Sequence, residues 1–267
     1  VAGRRRDPQL GGRLRRARMI LPIAFVLIAP LLAPRLAVPP LGHPGAVAPE
    51  FDRAGTLILE NVQIACSKAS EIQPGMRVTI ERGAIVQIDP MTDLPAPEGA
   101  AVVDGRGRFL APGFYDMHAL LPGVDSALPA SFRREALRMM LESGITTARV
   151  GRGALELLDD KRAIARGEIP GPRLFVAAPP LARNWFVALD EAPAQFEIWK
   201  AQGFDAVKFL SGPPAPEHTG HADAAVRAGL RWYGHMPMGA VADWPLTSMT
   251  SLEHASALER LAALSPD

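Results

Sequence analysis

The sequence predicts an α/β fold built on a parallel sheet, doubly wound or closed as a barrel, with small β elements ahead of it. Three observations lead there. From Phe114 onward, short apolar runs alternate with amphipathic stretches in a strand-then-helix rhythm. Between Thr56 and Asp104 the segments are short and lack helical periodicity. And three of the six histidines, His118, His235 and His254, end expected strands, which is where catalytic groups of a (β/α)8 barrel sit.

In chain order, residues 1–50 form the first unit. Arg4, Arg5, Arg6, Arg13, Arg15, Arg16 and Arg18 precede an apolar run from Met19 to Ala33. A basic segment followed by a short apolar one is the layout of a secretory signal. The run is shorter than the roughly 20 residues of a spanning helix, and Pro22 and Pro30 interrupt it. Export to a periplasmic or extracellular place is therefore expected, with a retained membrane anchor as the alternative. Ala46-Val47-Ala48 has the small-x-small form of a cleavage site, although Pro49 follows it, and Ala33–Pro49 reads as a Pro-rich linker carrying His43.

The second unit, 51–112, holds the small β elements. Thr56–Val62 reads as a strand, Arg77–Ile80 and Ala84–Ile88 as a hairpin turning at Arg82-Gly83, and Val102–Asp104 as a further strand. The third unit is 113–267. Its expected strands are Phe114–His118, Ile145–Val150, Arg173–Ala178, Ala206–Leu210, Leu230–His235 and Thr250–His254. Its expected helices are Ser131–Ser143, Leu155–Ala165, Ala192–Gln202 and Ala222–Ala228, closed by Gly144, Gly167, Gly203 and Gly229. Phe132, Leu137, Met140 and Leu141 form the apolar side of the first helix.

Composition excludes several classes. Hydrophobic residues at 48% and charged residues at 21% allow a substantial core. With 29 basic and 28 acidic residues the chain offers no basic patch for nucleic acid. The single cysteine, Cys66, excludes an internal disulfide and any CxxC metal site, and reads as a small residue near a strand. Gly151-Arg152-Gly153 lacks the rest of a dinucleotide fingerprint. His218 and His221 form an H-x-x-H, but in a Pro-rich loop ahead of a helix they read as solvated residues or a cap. Asp116 reads as support for a strand end. Arg149 and Arg152 suit either a surface ion pair or bidentate capture of a substrate carboxylate.

The segments LILENVQI, MRVTIERGAIVQI and VVDGRGRFLAPGFYDMH, followed in order by SGITTARV, GFDAVKFL, LRWYGHM and SLEHAS, resemble the amidohydrolase superfamily. The resemblance runs from about Gly55 to the last residue, and its layout looks most like the prolidase- and imidazolonepropionase-like branch. It implies a (β/α)8 TIM barrel with a β-sandwich, and one or two divalent metals, mostly zinc. It also implies a ligand set in which His118, a carboxylated Lys208, His235 and His254 take the places after strands 1, 4, 5 and 6. Those residue types suit the chemistry: neutral imidazole ligates zinc, and a buried lysine beside cations loses its proton readily and can take up carbon dioxide.

Two departures follow. His118-Ala119-Leu120 puts leucine where the family has its second histidine. The chain ends at Asp267 soon after His254, so the expectation is an incomplete barrel of about six strands, a truncated frame, and no general-base aspartate from the last strand. The expected activity is hydrolysis of non-peptide or dipeptide-like carbon–nitrogen bonds in a small-molecule substrate, with at most one weakly held zinc and little or no turnover. Two rival readings stay open: a catalytically dead relative that binds a ligand or partner chain, and a membrane-tethered structural protein.

Overall fold

The computed structural model describes residues 25–28, 55–65, 71–122, 124, 128–181, 187–210, 215–235 and 248–254. Cys66, His43 and the cleavage region lie outside them. Strand β1 (Phe25–Ile28) falls inside the apolar run expected to be a leader or anchor, and it pairs antiparallel with β6 (Phe109–Pro112). Among the described residues no helix is long and apolar enough to cross a membrane.

The first sheet is centred on β2 (Thr56–Ile64), which pairs antiparallel with β3 (Gln73–Glu81) and parallel with both β5 (Ala101–Asp104) and β6. β4 (Ala84–Pro90) completes the expected hairpin with β3. Leu59, Val62, Ile64, Val78 and Leu110 form the small core of this sheet.

The rest follows the strand-then-helix rhythm. β7 (Phe114–Ala119), β8 (Ile145–Val150) and β9 (Arg173–Val176) form one parallel sheet, and β10 (Ala206–Phe209) pairs with β11 (Arg231–Gly234) in another. Parallel bridges Ala177–Ala206 and Leu181–Phe209 join the two into one wall. The helices are α1 (Ala130–Glu142), α2 (Leu155–Arg166), α3 (Ala192–Gln202) and α4 (Ala215–Arg227). Gly167 and Gly203 cap α2 and α3 in the left-handed conformation that glycine adopts without penalty.

Alternation along the strands sorts residues into two layers. Ala148, Val150, Leu174, Val176, Val207, Phe209 and Trp232 face the helices and form the large core with Leu137, Leu157, Leu158 and Phe196. Residues of the other parity, Arg149, Ala177, Ala206, Lys208 and Tyr233, belong to the opposite face of the wall.

Three expectations need correcting. The sixth barrel strand, Thr250–His254, is a single parallel bridge from Leu252 to Gly234, held by hydrogen bonds from Thr250 N–H to Trp232 O (2.9 Å) and Glu253 N–H to Gly234 O (2.8 Å). The chain breaks off extended geometry at His254, whose φ is +69°, so too few residues pair to make a strand. On α1, Phe132 is 57% exposed and Arg133 only 5%, because the buried stripe runs through Arg133 and Leu137, four residues apart. Arg133 is neutralised there by Asp160 of α2, its Nε donating to Oδ2 at 2.5 Å. Finally, α4 starts seven residues before the expected Ala222 and takes in His218 and His221, both fully buried. Helical spacing puts these two on one side of α4, against Phe209, Phe196 and Trp232.

Candidate functional site

All four histidine and lysine positions singled out in the sequence come together at the C-terminal end of the wall. His118 is the last residue but one of β7, Lys208 lies in β10, and His235 follows β11, its N–H donating to Phe209 O at 2.8 Å. His254 follows the Leu252 bridge in the left-handed region, a conformation that histidine adopts more readily than most side chains.

His118 Nε2 lies 3.4 Å from Lys208 Nζ, and His254 Nε2 lies 3.0 Å from His235 Nε2. The His118 and His254 ring centroids are 5.0 Å apart, and those of His235 and His254 are 4.7 Å apart. Lys208 is 1% exposed. Burial is the main cause that lowers its pKa; the charges of Arg149 and Arg152 add to this, while Glu253 opposes it. Burial likewise lowers His235, helped by His254 and Lys208. Both shifts favour the neutral, lone-pair-bearing forms.

Beneath these groups runs a network anchored on Glu253. Its Oε2 meets His118 Nδ1 in a short contact, and its Oε1 accepts from Arg149 Nη2 at 2.5 Å and from Ser251 Oγ at 2.9 Å. Burial alone would raise the Glu253 carboxyl, but the hydrogen bonds from His118 and Ser251 and the Arg149 charge together hold it below the usual range. Arg149 also donates to Met117 O (2.7 Å) and Ser251 Oγ (2.8 Å), and its guanidinium lies 4.0 Å from the Tyr233 ring centroid. The Tyr233 hydroxyl is buried with no hydrogen-bond partner among the described residues, and burial raises its pKa.

Donor chemistry suits a divalent cation at the His235–His254 pair. Two imidazole Nε2 atoms that face each other at 3.0 Å can hold only one proton between them, and two nitrogens on one tetrahedral zinc lie about 3.3 Å apart given bonds of about 2.05 Å. Among the described residues, however, no three His, Cys, Asp or Glu side chains are arranged to hold a metal. Leu120 is 57% exposed and adds no donor.

No family profile matches the chain. The N-acyl-D-aspartate deacylase of Alcaligenes xylosoxydans xylosoxydans is 29% identical over 160 residues, 58% of this chain and 29% of that protein. A crystal structure of an amidohydrolase superposes with a TM-score of 0.62 at 22% identity, covering 78% of this chain and 64% of the other. A Xaa-Pro dipeptidase crystallised with methionine in its active site gives 0.61 at 16% identity, over 79% and 65%. The chain has the amidohydrolase-superfamily fold. It spans less than a third of the deacylase and just under two thirds of the two solved chains.

Within that amidohydrolase fold, sequence reasoning missed Glu253, Tyr233 and Gly151. Strand parity was the available signal. With Leu252 packed against the helix-facing core, Ser251 and Glu253 must face the other way, and Tyr233 shares the parity of His235. Gly151 was set aside for lacking a nucleotide fingerprint, yet a Cβ there would lie 2.7 Å from Lys208 Nζ. Its role is room for the lysine head. Arg149 is an internal support: three of its nitrogens are committed within the protein. Asp116 does support the strand end, its Oδ1 accepting from His118 N–H at 2.9 Å. His218 and His221 take no part in the site.

Proposed function

We propose that this chain is a metal-dependent hydrolase of carbon–nitrogen bonds, of the non-peptide or dipeptide-like kind, with His118, Lys208, His235 and His254 as its ligand set. The observation that carries the reading is the buried Lys208 amine, inclined to its neutral form, lying 3.4 Å from one imidazole beneath a facing pair of others. The layout of the chain favours the prolidase-like branch.

Zinc, when bound, would polarise a substrate carbonyl and lower the pKa of its water towards about 7. The chain's own residues prepare for that. The neutral Lys208 amine can add to carbon dioxide: the N–C bond forms, one C=O electron pair moves to oxygen, and the amine proton leaves, giving a carbamate anion. His235 and His254 present their Nε2 atoms to one point. Arg149 and Glu253 occupy each other, so substrate recognition falls to other groups.

Leu120 favours a second reading, a relative that binds a ligand without turning it over, since the position beside His118 offers no donor. Metal analysis and activity on one preparation separate the two. We expect at most one zinc per chain, lost in both His235→Ala and His254→Ala, with slow turnover of N-acyl amino acids or Xaa-Pro dipeptides on the first reading and none on the second. Two tightly held metals, or one indifferent to both substitutions, would overturn the ligand assignment. Export is proposed from the arginine cluster and the apolar run; sequencing the N-terminus of the mature protein in a Gram-negative host tests it and reports whether β1 is kept.

A further inference from the structure

Glu253 is not among the donors assigned above, yet both of its carboxylate oxygens are engaged. Its backbone N–H is tied to Gly234 O at 2.8 Å, and Arg149 and Ser251 both donate to Oε1, leaving Oε2 facing His118 Nδ1. An ionised carboxylate only accepts hydrogen bonds. The proton of the Glu253–His118 contact therefore belongs to Nδ1, and in the neutral ring the lone pair belongs to Nε2. That nitrogen faces Lys208 Nζ at 3.4 Å. A second nitrogen that donates to a carboxylate is how proteins fix the tautomer and orientation of a metal-ligating histidine.

We propose that Glu253 is the positioning residue of this site: held by Arg149 and Ser251, it fixes His118 as the Nδ1–H tautomer and turns the Nε2 lone pair towards Lys208. The use of that lone pair for metal rests on the function proposed above; the tautomer does not. A rival view, in which Glu253 merely pairs with Arg149 to stabilise the parallel-strand wall, makes no demand on the His118 tautomer.

Glu253→Gln discriminates between them. The near-isosteric amide can keep its oxygen on Arg149 and Ser251, and then its NH2 faces His118. That group donates, so Nδ1 must accept, and the ring flips to the Nε2–H tautomer. The full-length, metal-free chain labelled with 15N-histidine is recorded in alkaline buffer by long-range 1H–15N correlation, with His118→Gln to assign the signal. The expected result is Nδ1–H in the native chain and Nε2–H in Glu253→Gln, with circular dichroism unchanged and zinc affinity lower by about 10–100-fold. An Nε2–H ring in the native chain overturns the proposal, and so does one tautomer in both proteins. The native spectrum decides the matter even if the variant fails to fold. If the tautomer behaves as stated and no zinc binds the native chain, the positioning role stands and the metal reading falls.

Discussion

The two faces of the parallel-strand wall both bury polar groups, and they do it differently. On the helix-facing side Arg133 is tied to Asp160, and His221 to the backbone oxygens of Glu217 (2.7 Å) and Val187 (2.8 Å). On the opposite side Glu253 and Arg149 are likewise committed, but the nitrogens above them, on Lys208, His118, His235 and His254, converge on one another. Satisfied pairs fix a packing, whereas converging lone pairs wait for a cation or a proton. Substitutions on the helix side should therefore cost stability, and those at the site should cost chemistry at little cost in stability.

The largest effect is expected at Asp160. Replacing it with alanine leaves the Arg133 guanidinium buried without its partner, which typically costs about 3–5 kcal/mol. Removing both charges in Arg133→Met/Asp160→Leu should recover most of that loss, since a well-packed apolar pair can replace a buried ion pair at little cost. Urea denaturation measures both. If Asp160→Ala unfolded within about 1 kcal/mol of the native chain, the pair would not be buried as described.

A smaller effect follows from His218. Burial, with a contribution from the charge of His221, pushes its pKa down to about 4 from the usual 6.5. A base whose folded pKa is depressed binds fewer protons folded than unfolded, so stability rises with pH across that window. The contribution is whole above about 6.5 and is lost as the pH falls towards about 4. At roughly 1.4 kcal/mol for each unit, it amounts to on the order of 3 kcal/mol. Carboxyl groups also change protonation at the acid end of that window, among them the salt-bridged Glu135 and Glu168, which their arginine partners hold below the usual carboxylate value. The informative quantity is thus the difference between the native chain and His218→Phe. The native chain should take up close to one more proton on unfolding near pH 5, and equal slopes would place His218 in solvent.

How much of this could be read from the residues alone depends on the face. The strand-then-helix rhythm gave Ile145–Val150 and Ala192–Gln202 to the residue, because an apolar run closed by glycine is a local signal. That His118, Lys208, His235 and His254 end or follow strands was legible through the motifs around them. For Glu253 parity could give the face but not the partner, since His118 lies 135 positions away and nothing in SLEH announces that both acidic and basic neighbours turn inward. Strict alternation would have sent one of them outward; the left-handed turn at His254 brings both in. His218 was misplaced, and Phe132 was put on the buried side of α1 where Arg133 lies, for a related reason: a polar side chain reads as solvated until its packing against another element is known.

The smallest expected effect on stability, and the most specific on chemistry, is at Gly151. A methyl there would sit 2.7 Å from Lys208 Nζ and 3.0 Å from its Cδ. Those atoms are the far end of a flexible side chain, so the lysine gives way and the backbone does not. The penalty is that of an off-rotamer torsion, about 0.5–1.5 kcal/mol, or a melting shift of a few degrees. The displaced amine, however, leaves the point where it faces His118. With 13C-bicarbonate supplied, the native chain should show a carbamate carbon signal that Lys208→Ala abolishes, and Gly151→Ala should weaken or remove it with the fold intact. A full carbamate signal in Gly151→Ala would mean that the room above Lys208 is incidental. A loss of stability much beyond 1.5 kcal/mol would mean that Gly151 belongs, with Asp160, to the packing that holds the wall together.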